Sequence, residues 1–329
     1  YVLNKKTWYN YQPRIKIQYK PTKNDNLTLT YDKTFQNLHI LTMSSSIVPA
    51  DIWVPATEIA KPENAHQFSI GYSHSFNRKY ELTVSGFYKI INNLIDYKRH
   101  FYITDTVINP TWEQQIVTNG TGTIYGLEFL AEKNTGKFTG WISYTYMKNY
   151  RKFEDLNNGE PFAFNYDRRH NLKLVAQYNF NDNLSLNAVF MFGSGYPLSL
   201  SVIKQNFVEL IEGENANTGN YGTIVDENTN YYSELNFEGT TYVFNKINSY
   251  RMPAYHRLDI SLNWEKQKKR GIRTWTFGIY NVYNQQNAYF LFLAHDTPEF
   301  SDPNVEYPVA LYKFTLFPII PSISYNFKF

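Results

Sequence analysis

The densest cluster of chemically active side chains in the sequence is the run Asp167, Arg168, Arg169 and His170. Enzymes use a histidine near a carboxylate to move protons, so a hydrolase site at this point would need such a pair. The same run also suits the start of a β-strand in water, with its arginines paired to acids. We favour the second interpretation and keep Arg168 and Arg169 as candidate ligand contacts.

Other chemistry-bearing residues do not form a recognisable motif. Gly120, Gly122 and Gly126 lack the G-x-G-x-x-G spacing of a nucleotide loop. Residues 193–195 lack the G-x-S-x-G spacing of a nucleophile elbow. The seven histidines are scattered, with no two at a metal-ligand spacing supported by acids. The sequence therefore predicts neither an enzyme nor a bound metal or cofactor.

The elements that position these residues show a period of two. Large apolar residues recur at every second position in segments of about ten residues, the length that a tilted strand needs to cross a bilayer. In the segment 257–265 the charged residues alternate with Leu258, Ile260, Leu262 and Trp264. One face of each strand is thus apolar and the other polar.

The composition agrees with strands in a membrane. Aromatic residues make up 18% of the chain, with 29 Tyr and 24 Phe, yet the mean hydropathy is only −0.48. Barrel strands that alternate lipid-facing and lumen-facing residues average to such a polar value. The net charge of +3 is too small to indicate nucleic acid as a partner, and the absence of cysteine excludes disulfides and thiolate metal sites.

The connections between the strands alternate in length. Short turns rich in Asn, Asp, Gly and Pro fall at 21–26, 77–79, 134–137, 181–183 and 267–271. Outer-membrane barrels have short turns on the periplasmic side and long loops outside. We therefore predict extracellular loops at about 38–64, 100–121, 151–167, 197–253 and 285–308.

The fold class predicted is all-β, a transmembrane antiparallel up-and-down barrel. Counting from about Tyr11 gives about eleven strands, the last from near Tyr312 to Phe329. A bacterial single-chain barrel has an even number of strands. We therefore interpret 1–329 as the C-terminal part of a barrel of about 22 strands, without a plug domain. A soluble β-sandwich or β-helix is the alternative with the same period.

Three stretches near the end of the chain have a recognisable pattern: RMPAYHRLDISLNW at 251–264, TWTFGIYNVYNQQNAYF at 274–290 and LFPIIPSISYNFKF at 316–329. They resemble the C-terminal region of TonB-dependent outer-membrane receptors, particularly those of Bacteroidota. The resemblance implies import of an iron chelate, a corrinoid, a glycan or a peptide into the periplasm. A structural or adhesive barrel that transports nothing is the alternative, followed by a barrel enzyme.

The resemblance also implies partners. Ile323, Tyr325, Phe327 and Phe329 would form the signal that the barrel-assembly machinery reads. TonB would bind a missing N-terminal segment, and lipid or lipopolysaccharide of the outer membrane would surround the barrel.

Candidate ligand contacts lie in the predicted loops. Trp53 and Trp112 can stack on a ligand or pack loop against loop. The acids between Glu209 and Glu238 suit sugars, cations or a surface lipoprotein, or form only a solvated loop.

Overall fold

The computed structural model describes residues 7–42, 51–98, 112–199, 203–207, 239–243, 246–295 and 309–329. Within these ranges lie two short 3₁₀ helices, Trp112–Gln115 and Asn157–Gly159. No helix in the described ranges is long and apolar enough to cross a membrane. The strands of the described residues are β1 (Arg14–Tyr19), β2 (Asp25–Gln36), β3 (Leu38–Thr42), β4 (Asp51–Pro55), β5 (Glu63–Phe76), β6 (Tyr80–Tyr97), β7 (Ile116–Lys133), β8 (Phe138–Lys152), β9 (Phe162–Ala163), β10 (His170–Asn181), β11 (Leu184–Gly193), β12 (Pro197–Leu198), β13 (Ile203–Phe207), β14 (Gly239–Val243), β15 (Tyr250–Arg251), β16 (Tyr255–Lys268), β17 (Gly271–Tyr280), β18 (Ala288–His295), β19 (Val309–Thr315) and β20 (Ile320–Lys328).

Eleven of the described strands form one continuous antiparallel sheet. Their order is β1-β2-β5-β6-β7-β8-β10-β11-β16-β17-β20, so each long strand pairs with the next one along the chain. β9 adds a two-residue pairing to β8. The sheet is open, with β1 and β20 at its edges. The prediction of an up-and-down antiparallel sheet of about eleven strands is thus confirmed.

The register of the sheet separates an apolar face from a polar face, because residues that are directly opposite in an antiparallel pair point to the same side. Ile17 lies opposite Leu29, which lies opposite Ile70. One position along, Thr30 lies opposite Lys16 and Ser69. Exposed Leu, Ile, Phe, Tyr and Trp side chains cover the apolar face from β1 to β20.

Short connections join the strands at one end of the sheet, which we call the turn end. They are 20–24, 77–79, 134–137, 182–183 and 269–270. In one of them Asn77 and Arg78 have positive φ, the conformation of tight turns. The long connections begin and end at the opposite end of the sheet, the loop end. The extracellular assignment of these loops stays a prediction.

Strands β6 and β7 are longer at the loop end than a membrane-crossing strand needs to be. Each has 18 residues, whereas a tilted crossing strand needs about 9–11. Two small hydrophobic clusters cover the loop-end parts of these two strands. One contains Leu41, Ile95 and Ile116, and it buries one side of the β3–β4 hairpin. The loop end is therefore a packed layer in the described residues.

The last strand begins later than the sequence pattern indicates. β19 pairs with β18 as a separate loop hairpin, and only β20 pairs with β17 in the main sheet. Phe317 has a positive φ, which breaks the extended chain between β19 and β20, and its carbonyl accepts a bond from Asn281. Alternation of apolar residues alone does not reveal such a break.

We expect Gly140→Ala to destabilise the barrel by about 1–3 kcal/mol. Gly140 has a φ of +152°, and an added Cβ would lie 2.1 Å from the Val175 carbonyl oxygen of the paired strand. Gly71→Ala is the matched control, since its Cβ would meet Ser85 at an ordinary 3.6 Å. Denaturant unfolding of the complete barrel in lipid vesicles measures both. Equal unfolding free energies would contradict the strain at Gly140.

Candidate functional site

A group of arginines and tyrosines lies on the polar face at the loop end, and we call it the arginine cluster. Its members come from the β8–β10 connection, from the β11–β16 connection and from β16 and β17. They are Asp167, Arg168, Arg169, Tyr196, Arg251, Tyr255, Arg257, Asp259 and Tyr280.

Asp167 is the buried anchor of the arginine cluster. Its side chain is 0% exposed, and its Oδ1 accepts a 2.8 Å hydrogen bond from the Asn149 amide. Arg251 forms a salt bridge with its carboxylate. The same guanidinium donates to the carbonyl oxygens of Asp167 and Gly195, at 2.9 and 3.1 Å. This bonding joins two loops that are distant in sequence.

Arg168 is held mainly by aromatic rings and a carbonyl. Its Nε donates a 3.2 Å bond to the Ser194 carbonyl, and its Cζ lies 4.6 Å from the ring centre of Tyr196 and 5.8 Å from that of Tyr255. The absence of a side chain at Gly193 makes space for Arg168, because a Cβ there would lie 2.4 Å from the guanidinium. Among the described residues Arg168 has no salt bridge to a carboxylate, so its charge is available to an anion.

Arg257 occupies the polar face of β16 nearby. It forms a 2.9 Å salt bridge with Asp259, and its guanidinium donates to the hydroxyls of Tyr255 and Tyr280 at 3.0 and 2.5 Å. Its Cζ lies 4.0 Å above the Tyr280 ring. Positions 255, 257 and 259 alternate along one strand, so the period-two pattern places all three on one face.

The exit of β17 is fixed by asparagine side chains. Asn281 is 0% exposed and has a φ of +54°. It donates to the carbonyls of Gln285 and Phe317, while its own amide N–H donates to Asp259. Asn287 bonds both backbone groups of His256. The asparagines of 274–290 therefore tie the end of β17 to the start of β16, beside Arg257.

The candidate ligand contacts predicted from sequence fall into different places. Arg168 and Arg169 both lie in the arginine cluster, where Arg169 Nε is 3.7 Å from Asp167 Oδ2. Trp53 is 59% exposed on the β3–β4 hairpin. Trp112 packs against the hydrophobic cluster of Leu41 and its neighbours. The acids between Glu209 and Glu238 lie outside the described residues.

Several members of the arginine cluster carried no predicted role. Arg251, Tyr255, Arg257 and Asp259 belong to the stretch 251–264, which the sequence marks only as a strand start. The alternation of 255, 257 and 259 was the available signal for a shared polar face. The local sequence does not show which loop residues lie beside them.

The aromatic residues of the last strand lie where alternation predicts. Ile323 and Tyr325 are opposite Phe277 and Trp275 on the apolar face. Phe327 is opposite Arg273, and its ring centre lies 5.2 Å from that of Phe329. Phe329 is 97% exposed. Their role as an assembly signal stays a prediction.

An open up-and-down sheet with one apolar face, a polar opposite face and long connections at one end defines part of a barrel of the outer-membrane type. The family model described as TonB dependent receptor-like, beta-barrel, matches residues 2–284. The chain therefore belongs to the family of TonB-dependent receptor β-barrels. No curated protein matches the sequence.

Solved structures with a similar fold are import receptors. The ferric-catecholate import receptor Fiu from E. coli K12 matches with a TM-score of 0.50 and 15% identity, over 95% of this chain and 34% of its own. The ferric citrate transporter FecA gives 0.51 and 16%, over 95% and 37%. The ferric yersiniabactin uptake receptor FyuA from Yersinia pestis gives 0.50 and 10%, over 95% and 35%. The chain thus spans about a third of these structures.

Proposed function

We propose that this chain is the C-terminal half of the barrel of an outer-membrane receptor that imports a nutrient by TonB-dependent transport. Membership of the receptor family supports this function. A barrel of about 22 strands, closed upstream of β1, a plug domain and a TonB-binding segment would complete the protein. The chain itself would do no covalent chemistry. We also propose that the receptor is similar to those of Bacteroidota.

We further propose that the cargo is anionic, and the arginine cluster is the observation that carries this proposal. Arg168 has no carboxylate partner in the described residues, and Asp167 is shared between Arg251 and Arg169. Two positive charges therefore exceed the acids around Asp167. Arginine binds carboxylates and other planar oxyanions in bidentate fashion, and nearby tyrosines add hydrogen bonds and ring faces.

A negatively charged iron chelate fits an anionic cargo bound by arginines and tyrosines. An acidic glycan or peptide fits it in part, and a corrinoid fits it least. The rivals are a structural or adhesive barrel that transports nothing and a barrel enzyme. A surface lipoprotein over the loops and the assembly machinery at Phe329 are the further partners proposed.

We expect Arg168→Ala in the complete receptor to lower the affinity for an anionic ferric chelate about tenfold or more, because a hydrogen bond to a charged group contributes about 1.5–3 kcal/mol. The measurement of this loss is the uptake of radiolabelled ferric citrate and of a ferric catecholate by cells with and without TonB. Arg270→Ala in a turn-end connection is the matched control. Uptake that does not need TonB would overturn the proposed TonB-dependent transport. A wild-type affinity in Arg168→Ala for each chelate taken up would overturn the role of the arginine cluster.

A further inference from the structure

Three tyrosine–histidine pairs lie on the apolar face at the loop end. The Tyr31 hydroxyl is 3.0 Å from Nδ1 of His66. The Tyr144 hydroxyl is 2.8 Å from Nδ1 of His170. The third pair joins the hydroxyl of Tyr283, in the connection after β17, to Nδ1 of His256 at 2.9 Å. The same geometry thus recurs across the width of the sheet.

Lysines share this face with the pairs. Lys33 lies directly opposite His66 in the register, Lys148 lies opposite Tyr125, and Lys152 lies opposite Thr121. None of the apolar-face positions in the loop-end half of the paired strands is an aspartate or glutamate. We call these lysines and the three histidines the basic belt.

The turn end of the same face is built differently. There His74 pairs with a carboxylate, with its Nδ1 2.6 Å from Asp25 Oδ1. The Tyr72 hydroxyl donates to the same oxygen at 2.6 Å. The turn-end histidine of this face thus contacts a carboxylate of the protein itself. The three loop-end histidines of this face, His66, His170 and His256, each contact a phenol instead, which supplies no negative charge.

The phenol partners leave one ring nitrogen of each histidine for an external acceptor. When the hydroxyl donates to Nδ1, Nε2 carries the proton and is a donor. Burial and then the charge of Asp259 raise the pKa of Tyr283 above its ordinary value, so this hydroxyl keeps its proton at neutral pH. Each pair then presents an N–H donor at the surface.

An apolar hollow of about 800 Å³ adjoins one end of the basic belt. Gly86 forms the floor of this hollow, because it has no side chain and lies between Ile70 and Leu127 in the register of the sheet. Tyr31, the partner of His66, lies on its rim. The hollow runs along the apolar face, so its shape and chemistry suit a hydrocarbon chain.

We propose that the basic belt binds the phosphate groups of a phosphorylated glycolipid in the outer leaflet, with an acyl chain in the hollow at Gly86. This inference rests on the proposed outer-membrane location with the loop end outside. Cations on a lipid-facing surface are costly unless they lie at the interface and meet anions. Six basic groups without a carboxylate at one interface match a headgroup that carries more than one phosphate.

The test is lipid retention by the complete receptor, measured by native mass spectrometry. The probes are bisphosphorylated lipid A, the same acylated disaccharide without phosphates, and phosphatidylglycerol. The first variant combines Lys33→Gln, Lys148→Gln and Lys152→Gln. Its matched control removes three lysines at the turn end, Lys266→Gln, Lys268→Gln and Lys269→Gln. Heat-dependent gel mobility establishes that each barrel is folded.

We expect the wild-type receptor and the turn-end control to retain bisphosphorylated lipid A over both other lipids. The belt variant should bind it at least fivefold more weakly, the loss expected for about one lysine at an anionic surface. Combining His66→Gln, His170→Gln and His256→Gln should weaken it as well, and this second variant keeps the test valid if the first does not fold.

Equal losses in the belt variant and the turn-end control would overturn the proposal. Equal retention of the phosphate-free lipid or of phosphatidylglycerol by the wild type would overturn it too. Chelate uptake by the folded belt variant should stay at the wild-type rate, because the belt lies on the face opposite to the arginine cluster. Failure of lipid binding is thus separable from failure of import.

Discussion

Replacing Arg251 with alanine is expected to lower the free energy of unfolding of the complete barrel by about 3 kcal/mol, a loss typical of a buried pair that loses one partner. Asp167 is 0% exposed. Without Arg251 its carboxylate keeps, among the described residues, only the Asn149 amide and the 3.7 Å contact with Arg169 as close partners. The Gly195 carbonyl also loses a donor. Denaturant unfolding in lipid vesicles, followed by tryptophan fluorescence, measures the loss.

Arg169→Ala is the matched control for Arg251→Ala. Both arginines face the same carboxylate, but the Arg169 side chain is 41% exposed and its Nε is 3.7 Å away. An ion pair at this distance whose arginine is exposed to water contributes at most about 1 kcal/mol. If the two variants unfold alike, Arg251 is not what stabilises Asp167. Chelate affinity measured on the same variants separates lost stability from lost binding.

Deleting Phe329 is expected to reduce the amount of folded barrel in the outer membrane several-fold. Phe329 directly follows β20 and ends its alternating row of apolar residues; it is 97% exposed and contacts Phe327. A ring with so few contacts in the described structure adds little packing energy. A large loss on deletion would therefore point to recognition during assembly. The measurement is the heat-modifiable fraction of the complete receptor in isolated outer membranes.

Phe180→Ala controls for the loss of an exposed aromatic residue. Phe180 is 46% exposed near the turn end of β10, so its environment is comparable with that of the last strand. We expect its folded fraction to stay near that of the wild type. Unchanged levels after deletion of Phe329 would count against the assembly role. Equal losses in both variants would indicate a general effect of the aromatic girdle.

The two faces of this partial barrel carry different charged groups. The arginine cluster on the polar face has more positive charge than Asp167 balances, and it faces the proposed import path. The basic belt on the apolar face has no carboxylate in its half of the paired strands. Both groups lie at the loop end, while at the turn end His74 lies within hydrogen-bonding distance of the Asp25 carboxylate.

The strands, their faces and the short turns follow from the sequence itself. A strand's side chains alternate between faces, so Leu258, Ile260 and Leu262 define an apolar face without any tertiary contact. Tight turns such as 77–79 have residue types that adopt the turn conformation locally. Eleven strands in antiparallel order could thus be predicted, although the break at Phe317 could not.

The two candidate sites were decided by the tertiary structure. Arg168 and Arg251 were both visible in the sequence, but the register and the loop packing bring Arg251 onto Asp167. Tyr144 and His170 meet because β8 and β10 pair in one register, and a shift by one residue would place them on opposite faces. Alternation is a local property of the chain, whereas register and loop contacts depend on residues far apart. The sequence alone therefore determined the barrel, and the folded sheet determined which charges stand together.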